Sequence, residues 1–161
     1  MCAHSDQGAM GLVVNKVMNN ITFPDLLEQL GIHGSGLEQD IQVFFGGPVE
    51  QSRGFVLHTA DYAQDASLVV NGEYSLTASV DVLKAIADGS GPDKCLMALG
   101  YSGWAPGQLE DELARGDWYL LPAEAAEILP PDPYALWDDL VERIRSTNRT
   151  VPPTPGNPNW N

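Results

Sequence analysis

Ile41-Gln42-Val43-Phe44-Phe45, then Gly46-Gly47-Pro48, then Gly54-Phe55-Val56-Leu57-His58-Thr59, then Ser67-Leu68-Val69-Val70-Asn71-Gly72 and Tyr74-Ser75-Leu76-Thr77-Ala78: this stretch decides the fold. Its apolar and β-branched runs are each short enough for a strand and are bounded by glycine, proline or asparagine, which punctuate rather than continue a helix. Asn71-Gly72 between two such runs is the strongest hairpin signal in the chain. Four strands so closely spaced leave no room for the crossover helices of a strict βαβ repeat, so the pattern predicts a mixed α+β domain.

Outward from this centre, helices and strands alternate. Before it, residues 10–14 (MGLVV) read as a buried strand, and Thr22 offers an N-cap oxygen to a short helix with Pro24 in its first turn and Leu26, Leu27 and Leu30 on one face, stopped by Gly31. His33 to Gly36 reads as a glycine-punctuated loop. After it, Ser79 is placed to cap a helix carrying Val82, Leu83 and Ile86 and ending at Gly89. Residues 94–99 (KCLMAL) read as a buried strand that breaks at Gly100 and feeds a helix begun by Pro106 and ended by Gly116. Residues 117–121 (DWYLL) look strand-like, Pro122 opens a short helix, and Asp132-Pro133 starts a last one through about Ile144. The reading is one domain over 1–145 and a flexible proline-rich tail over 146–161.

Composition excludes several function classes. The chain has 161 residues, enough to bury about 70 % of the surface its unfolded form exposes. Twenty-two acidic side chains against eight basic ones give a net charge of −14. Such a field repels phosphate backbones and anionic lipid, because nucleic-acid affinity rests on Lys and Arg displacing counterions, so nucleic acid and membrane are disfavoured as partners. No apolar stretch approaches the ~20 residues that cross a bilayer, and the start has no signal-peptide pattern, which predicts a cytoplasmic protein with Cys2 and Cys95 as reduced thiols. No Cys/His spacing suggests a metal, and no cofactor is implied.

Two runs could carry chemistry. In the first, Gly46 and Gly47 let a backbone come close to a ligand, Arg53 can fork onto a carboxylate or phosphate, and His58 can move protons near neutral pH. In the second, Gly100-Tyr101-Ser102-Gly103-Trp104 leads to Gln108 and Glu110, a corner that would leave aromatic faces and backbone N–H groups at a surface. The competing reading of both is a tight turn, a hydrogen-bonded strand histidine and a strand-to-helix corner. Ser102 only superficially resembles a nucleophile elbow, because Gly-Tyr-Ser-Gly-Trp lacks the G-x-S-x-G spacing.

These runs, with Gly8-Ala9-Met10-Gly11-Leu12-Val13-Val14-Asn15 before them and Leu76-Thr77, Ser79 and Asp81 between them, resemble the YqgE/AlgH family of bacterial proteins in consistent order from Met1 to Leu121. The resemblance implies a single α+β domain in which a mixed, bifurcated sheet curls into a pseudo-barrel flanked by helices. The family has no established activity; "putative transcriptional regulator" is its inherited label, and the charge weakens it. Members usually carry a further strand ahead of the segment matching Met1, which implies a native start upstream and a bare sheet edge open to self-association. Three functions follow as expectations: a non-catalytic module binding a small molecule or protein through Gly46, Gly47, Arg53, His58, Tyr101, Ser102, Trp104, Gln108 and Glu110; an enzyme using His58 and Arg53 on an anionic substrate; and a DNA-binding regulator.

Overall fold

A computed structural model describes residues 1–34 and 40–147 of the chain. Within them lie β1 (Ala3–Ser5), β2 (Gly8–Gly11), α1 (Phe23–Gln29), β3 (Val43–Phe45), β4 (Val49–Thr59), β5 (Leu68–Val69), β6 (Tyr74–Thr77), α2 (Val80–Ala87), β7 (Cys95–Trp104), α3 (Gln108–Arg115), α4 (Ala125–Ile128) and α5 (Leu136–Ser146). The strands form one sheet in the order β1-β2-β7-β4-β6-β5, with β3 joining β7 in parallel. β7 is the branch point. Its first half pairs with β3 and β4, and its second half, from Ser102 to Trp104, pairs with β2. The result is a curled half-barrel with helices against it, a single α+β domain as the family resemblance implies.

The pleat sorts the core. Cross-strand neighbours share a face, so Val43, Val56 and Met97 point to one side and Phe44, Phe55 and Ala98 to the other. The first side packs under α1 and α2 against Phe23, Leu27, Val82, Leu83 and Ala87. The second packs with Leu57, Leu76, Leu96 and Cys2, and with Ile128 and Leu129 at the end of α4. Both faces of the centre are therefore buried, which is why its strands read as continuous apolar runs rather than alternating ones.

Local chemistry explains the helices. Thr22 caps α1 through its hydroxyl, which accepts from the Asp25 N–H at 3.3 Å, and the Asp25 carboxylate accepts from the Thr22 hydroxyl at 2.7 Å and from the Thr22 N–H at 2.8 Å; these two bonds, the hydroxyl's first, hold the Asp25 carboxyl below its usual range. Gly89 and Gly116 end their helices in left-handed conformations. The 68–77 hairpin forms, and its turn is closed by the Asn71 carboxamide oxygen, which accepts from the N–H groups of Glu73 (2.9 Å) and Tyr74 (2.8 Å).

Several expectations are corrected. The N-terminal strand is Gly8–Gly11 rather than 10–14, because pairing with β1 and the end of β7 selects it. Ser79 precedes α2 without capping it; its hydroxyl donates to Gln64 instead. β7 does not break at Gly100. The left-handed kink there (φ +73°) re-aims the strand, which runs on to Trp104 because β2 offers a new partner. Residues 117–121 are irregular chain, with the Trp118 indole drawn to Glu112. Ser35, Gly36 and the tail beyond Thr147 lie outside the described residues. Cys2 and Cys95 are both free thiols, and burial pushes Cys95 up to about 11, away from thiolate chemistry. Among the described residues no helix is long and apolar enough to cross a membrane.

Candidate functional site

The site is built by a register slip. Val49 pairs with Tyr101 and Gly54 with Leu99, so five steps along β4 are matched by only two along β7. Residues 50–53, four of them opposite the single Gly100, bulge outward and are exposed. Within the bulge Glu50 holds φ +48°, the one left-handed non-glycine residue among those described. Across from the bulge, the kink at Gly100 turns Tyr101 onto the same face as Phe55, and their rings meet edge to face at 5.6 Å.

Between these elements lies an open groove of about 550 Å³. Met10, Phe55 and Tyr101 make its apolar floor, and Arg53 and Glu50 supply its charges. Gly103, on the Tyr101 side of the pleat, keeps the floor open: a Cβ there would come within 3.2 Å of the Tyr101 ring. The Arg53 guanidinium lies 5.2 Å from the centre of the Phe55 ring and donates to Glu50 at 3.3 Å, with both charged side chains about half exposed.

The fold brings Arg53 and Tyr101 together in this groove and distributes the other candidates around it. Gly46 and Gly47 are buried, and the close approach they allow is to the chain's own backbone. A Cβ on Gly46 would strike the Gly100 carbonyl oxygen, and one on Gly47 would strike the backbone of Tyr101 and Ser102. Ser102 sits in the ladder opposite Gly11. Trp104 borders the groove, but the pleat turns its indole to the opposite face, where it covers Gly11 and donates to Glu112 at 2.7 Å. The Trp118 indole donates to the same Glu112 oxygen at 2.7 Å, and the Gln108 amide reaches the other oxygen at 3.0 Å. These bonds, that from Trp118 first, hold the Glu112 carboxyl below its usual range. Glu110 pairs with His4 of β1, and that bond lowers its carboxyl too.

His58 corrects the proton-transfer expectation. It is 0 % exposed and lies on the α1/α2 side of the sheet, away from Arg53. Its Nδ1 donates to the Thr59 carbonyl at 2.8 Å, since a carbonyl can only accept. In the neutral ring its Nε2 then accepts from the Thr77 hydroxyl at 2.8 Å, and Thr77 is in turn bonded to Ser67 at 2.6 Å. Neither Glu110 nor Glu112, both on α3, reaches it. Seven of the ten residues that line the groove are not among the expected site residues: Gln7, Ala9, Met10, Val49, Glu50, Phe55 and Gly103. Phe55 and Gly103 stand in runs that the sequence marks, but no local signal links Met10 to Gly103; only the β2–β7 pairing does.

Comparison with known proteins places this arrangement in a family. The AlgH-like family (DUF179) matches residues 1–148. A UPF0301 protein of Cereibacter sphaeroides is 45 % identical over 157 residues, covering 97 % of this chain and 85 % of that protein. One from Rhodospirillum rubrum is 51 % identical over 124 residues, covering 77 % and 65 %. The solution structure of the AlgH protein from Pseudomonas aeruginosa superposes with a TM-score of 0.75 at 37 % identity, over 92 % of this chain and 81 % of that one. A Corynebacterium diphtheriae protein of known crystal structure, 21 % identical with a TM-score of 0.63 over 93 % and 75 %, shares the fold. The curled sheet branched at β7, the match across nearly all the described residues and the identity to these relatives have one reading: the chain belongs to the AlgH-like family.

Proposed function

We propose that the protein is a non-catalytic binding module whose site is the groove between the β4 bulge and the second half of β7. The observation that carries this reading is the meeting of Arg53 with Tyr101, two residues far apart in the chain, over an apolar floor that is left open by Gly103. A volume of about 550 Å³ suits a small molecule, since such sites run from roughly 300 to 1,000 Å³. The groups at hand hold and orient. A guanidinium, a carboxylate, aromatic rings and a thioether line the groove, while the one imidazole on β4 is sealed on the other face, out of the ~3 Å reach that a general base needs.

Thermal-shift screening of a metabolite library against the wild type and Gly103→Leu tests this. Ligands that bind only the folded state raise Tm by mass action, and filling the floor should abolish the rise. Shifts that survive the substitution, or no shift from any member, overturn the site. Conversion of a ligand detected by mass spectrometry overturns the non-catalytic part.

A further inference from the structure

We infer that the groove takes a zwitterion of the α-amino-acid kind carrying an aromatic side chain; the inference rests on the groove being a binding site. Its ten lining residues include one cation and one anion, Arg53 and Glu50, set side by side at the edge of an aromatic floor. Their mutual bond is a single contact of 3.3 Å from one guanidinium nitrogen, which leaves the rest of the five-donor fork facing the groove without a partner among the described residues. Two half-exposed charges at this separation hold each other weakly.

The backbone keeps the pair in place. Glu50 is locked in a left-handed conformation that side-chain-bearing residues rarely adopt, inside a bulge pinned at Val49 and Gly54, and the guanidinium rests on the Phe55 ring. A carboxylate ligand alone would satisfy Arg53 and face Glu50 and the −14 field of the chain. An amine alone would satisfy Glu50 and face Arg53. A ligand carrying both charges close together opens the ion pair and gives each member a fresh partner, with no like charges left in contact. Its ring then lies on Phe55, Tyr101 and Met10 over the gap at Gly103.

L-Phenylalanine is the probe, titrated by calorimetry and by NMR of the Tyr101 and Phe55 ring signals, beside 3-phenylpropionate, phenethylamine and benzyl alcohol. The expected result is that phenylalanine binds at least tenfold more tightly than either singly charged analogue, and that Arg53→Gln and Glu50→Gln each weaken it about tenfold without lowering Tm. Glu50→Gln should also erase the preference over 3-phenylpropionate. Analogues that bind as well as phenylalanine, or Gln variants that bind it unchanged, overturn the inference. If benzyl alcohol still moves the ring signals, the groove reading stands; if none of the four moves them, both fall.

Discussion

The two halves of β4 have opposite fates, although both offer a conspicuous polar side chain. Residues 54–59 are paired on one side with β7 and, from Val56, on the other with β6, and the half is buried down to His58. Residues 50–53, between the pairs at Val49 and Gly54, are out of the ladder with β7, lie beyond the end of β6, and carry Arg53 and Glu50 into solvent over a groove. A polar residue with two ladder neighbours has to be satisfied internally, and His58 is, through Thr59 and Thr77. A polar residue on a bulge is free to serve something else. Pairing, more than residue type, separates scaffold from site on this strand.

Between the two halves of β4, at the Gly100 kink of β7, the chain crosses itself most closely where Gly46-Gly47 passes Gly100 and Tyr101, and breaking that contact should have the largest effect. A Cβ on Gly47 would meet main-chain atoms of Tyr101 and Ser102, which cannot swing aside like the end of a flexible side chain. Gly47→Ala should cost about 3 kcal/mol or more, measured by urea unfolding. A cost under about 1 kcal/mol would mean that the strands do not cross so closely, and that the groove is shaped by something else.

Next in size is His58. Truncation to alanine leaves the Thr59 carbonyl and the Thr77 hydroxyl without their buried partner and opens a cavity between Thr77 and Tyr62, whose ring lies 5.7 Å from the imidazole. The expected loss is about 3 kcal/mol, which at this size lowers Tm by roughly 6–12 °C. Ligands found for the groove should keep their affinity in any His58 variant that folds. A binding loss there, with stability untouched, would return His58 to the site and erase the contrast between the halves.

How much of this was legible follows from how local each cause is. The Thr22 cap, the Gly89 and Gly116 stops and the Asn71 hairpin depend on atoms a few residues apart, so the sequence shows them. The continuation of β7 past Gly100 depends on β2, some ninety residues earlier in the chain, and glycine alone reads as a break. Trp118-Tyr119-Leu120-Leu121 has the composition of a strand but not the ladder of one; the Trp118 side chain turns to Trp104 and Glu112 instead. At the site, Arg53 and Tyr101 were visible by type. The burial of His58 was not, because both faces of the sheet's centre are covered, so a strand run does not show whether a polar residue in it meets solvent or core.

The outer half admits a test of sign. Glycine in a strand interior ordinarily costs about 0.5–1 kcal/mol, but Glu50 sits at φ +48°, where a side chain is strained and glycine is not. Glu50→Gly should therefore leave stability unchanged or raise it by up to about 1 kcal/mol. Arg53→Ala, which removes a half-exposed pair and the guanidinium's contact with the Phe55 ring, should stay within about 1 kcal/mol of wild type. A loss of about 1 kcal/mol from Glu50→Gly would show that the bulge backbone is not left-handed in solution.

The smallest effect belongs to the edge of the groove, where Glu112 holds the Trp104 and Trp118 indoles with one carboxylate oxygen. Those bonds favour the charged form and lower the folded-state value, as their partners do for Asp25, Asp61 and Glu110. A group depressed on folding adds stability that is present above its unfolded value and lost as pH falls through the folded one, so these four carboxylates steepen the acid limb of the stability curve. In an NMR titration the two indole Nε1–H signals should move together, in one step, below the ordinary glutamate range, and Glu112→Gln should remove that step from both. Separate midpoints, or a shared one at the ordinary value, would mean that the indoles are not tied to one ionised carboxylate. Trp104 would then be free to turn, and the rim of the groove would be set by β7 alone.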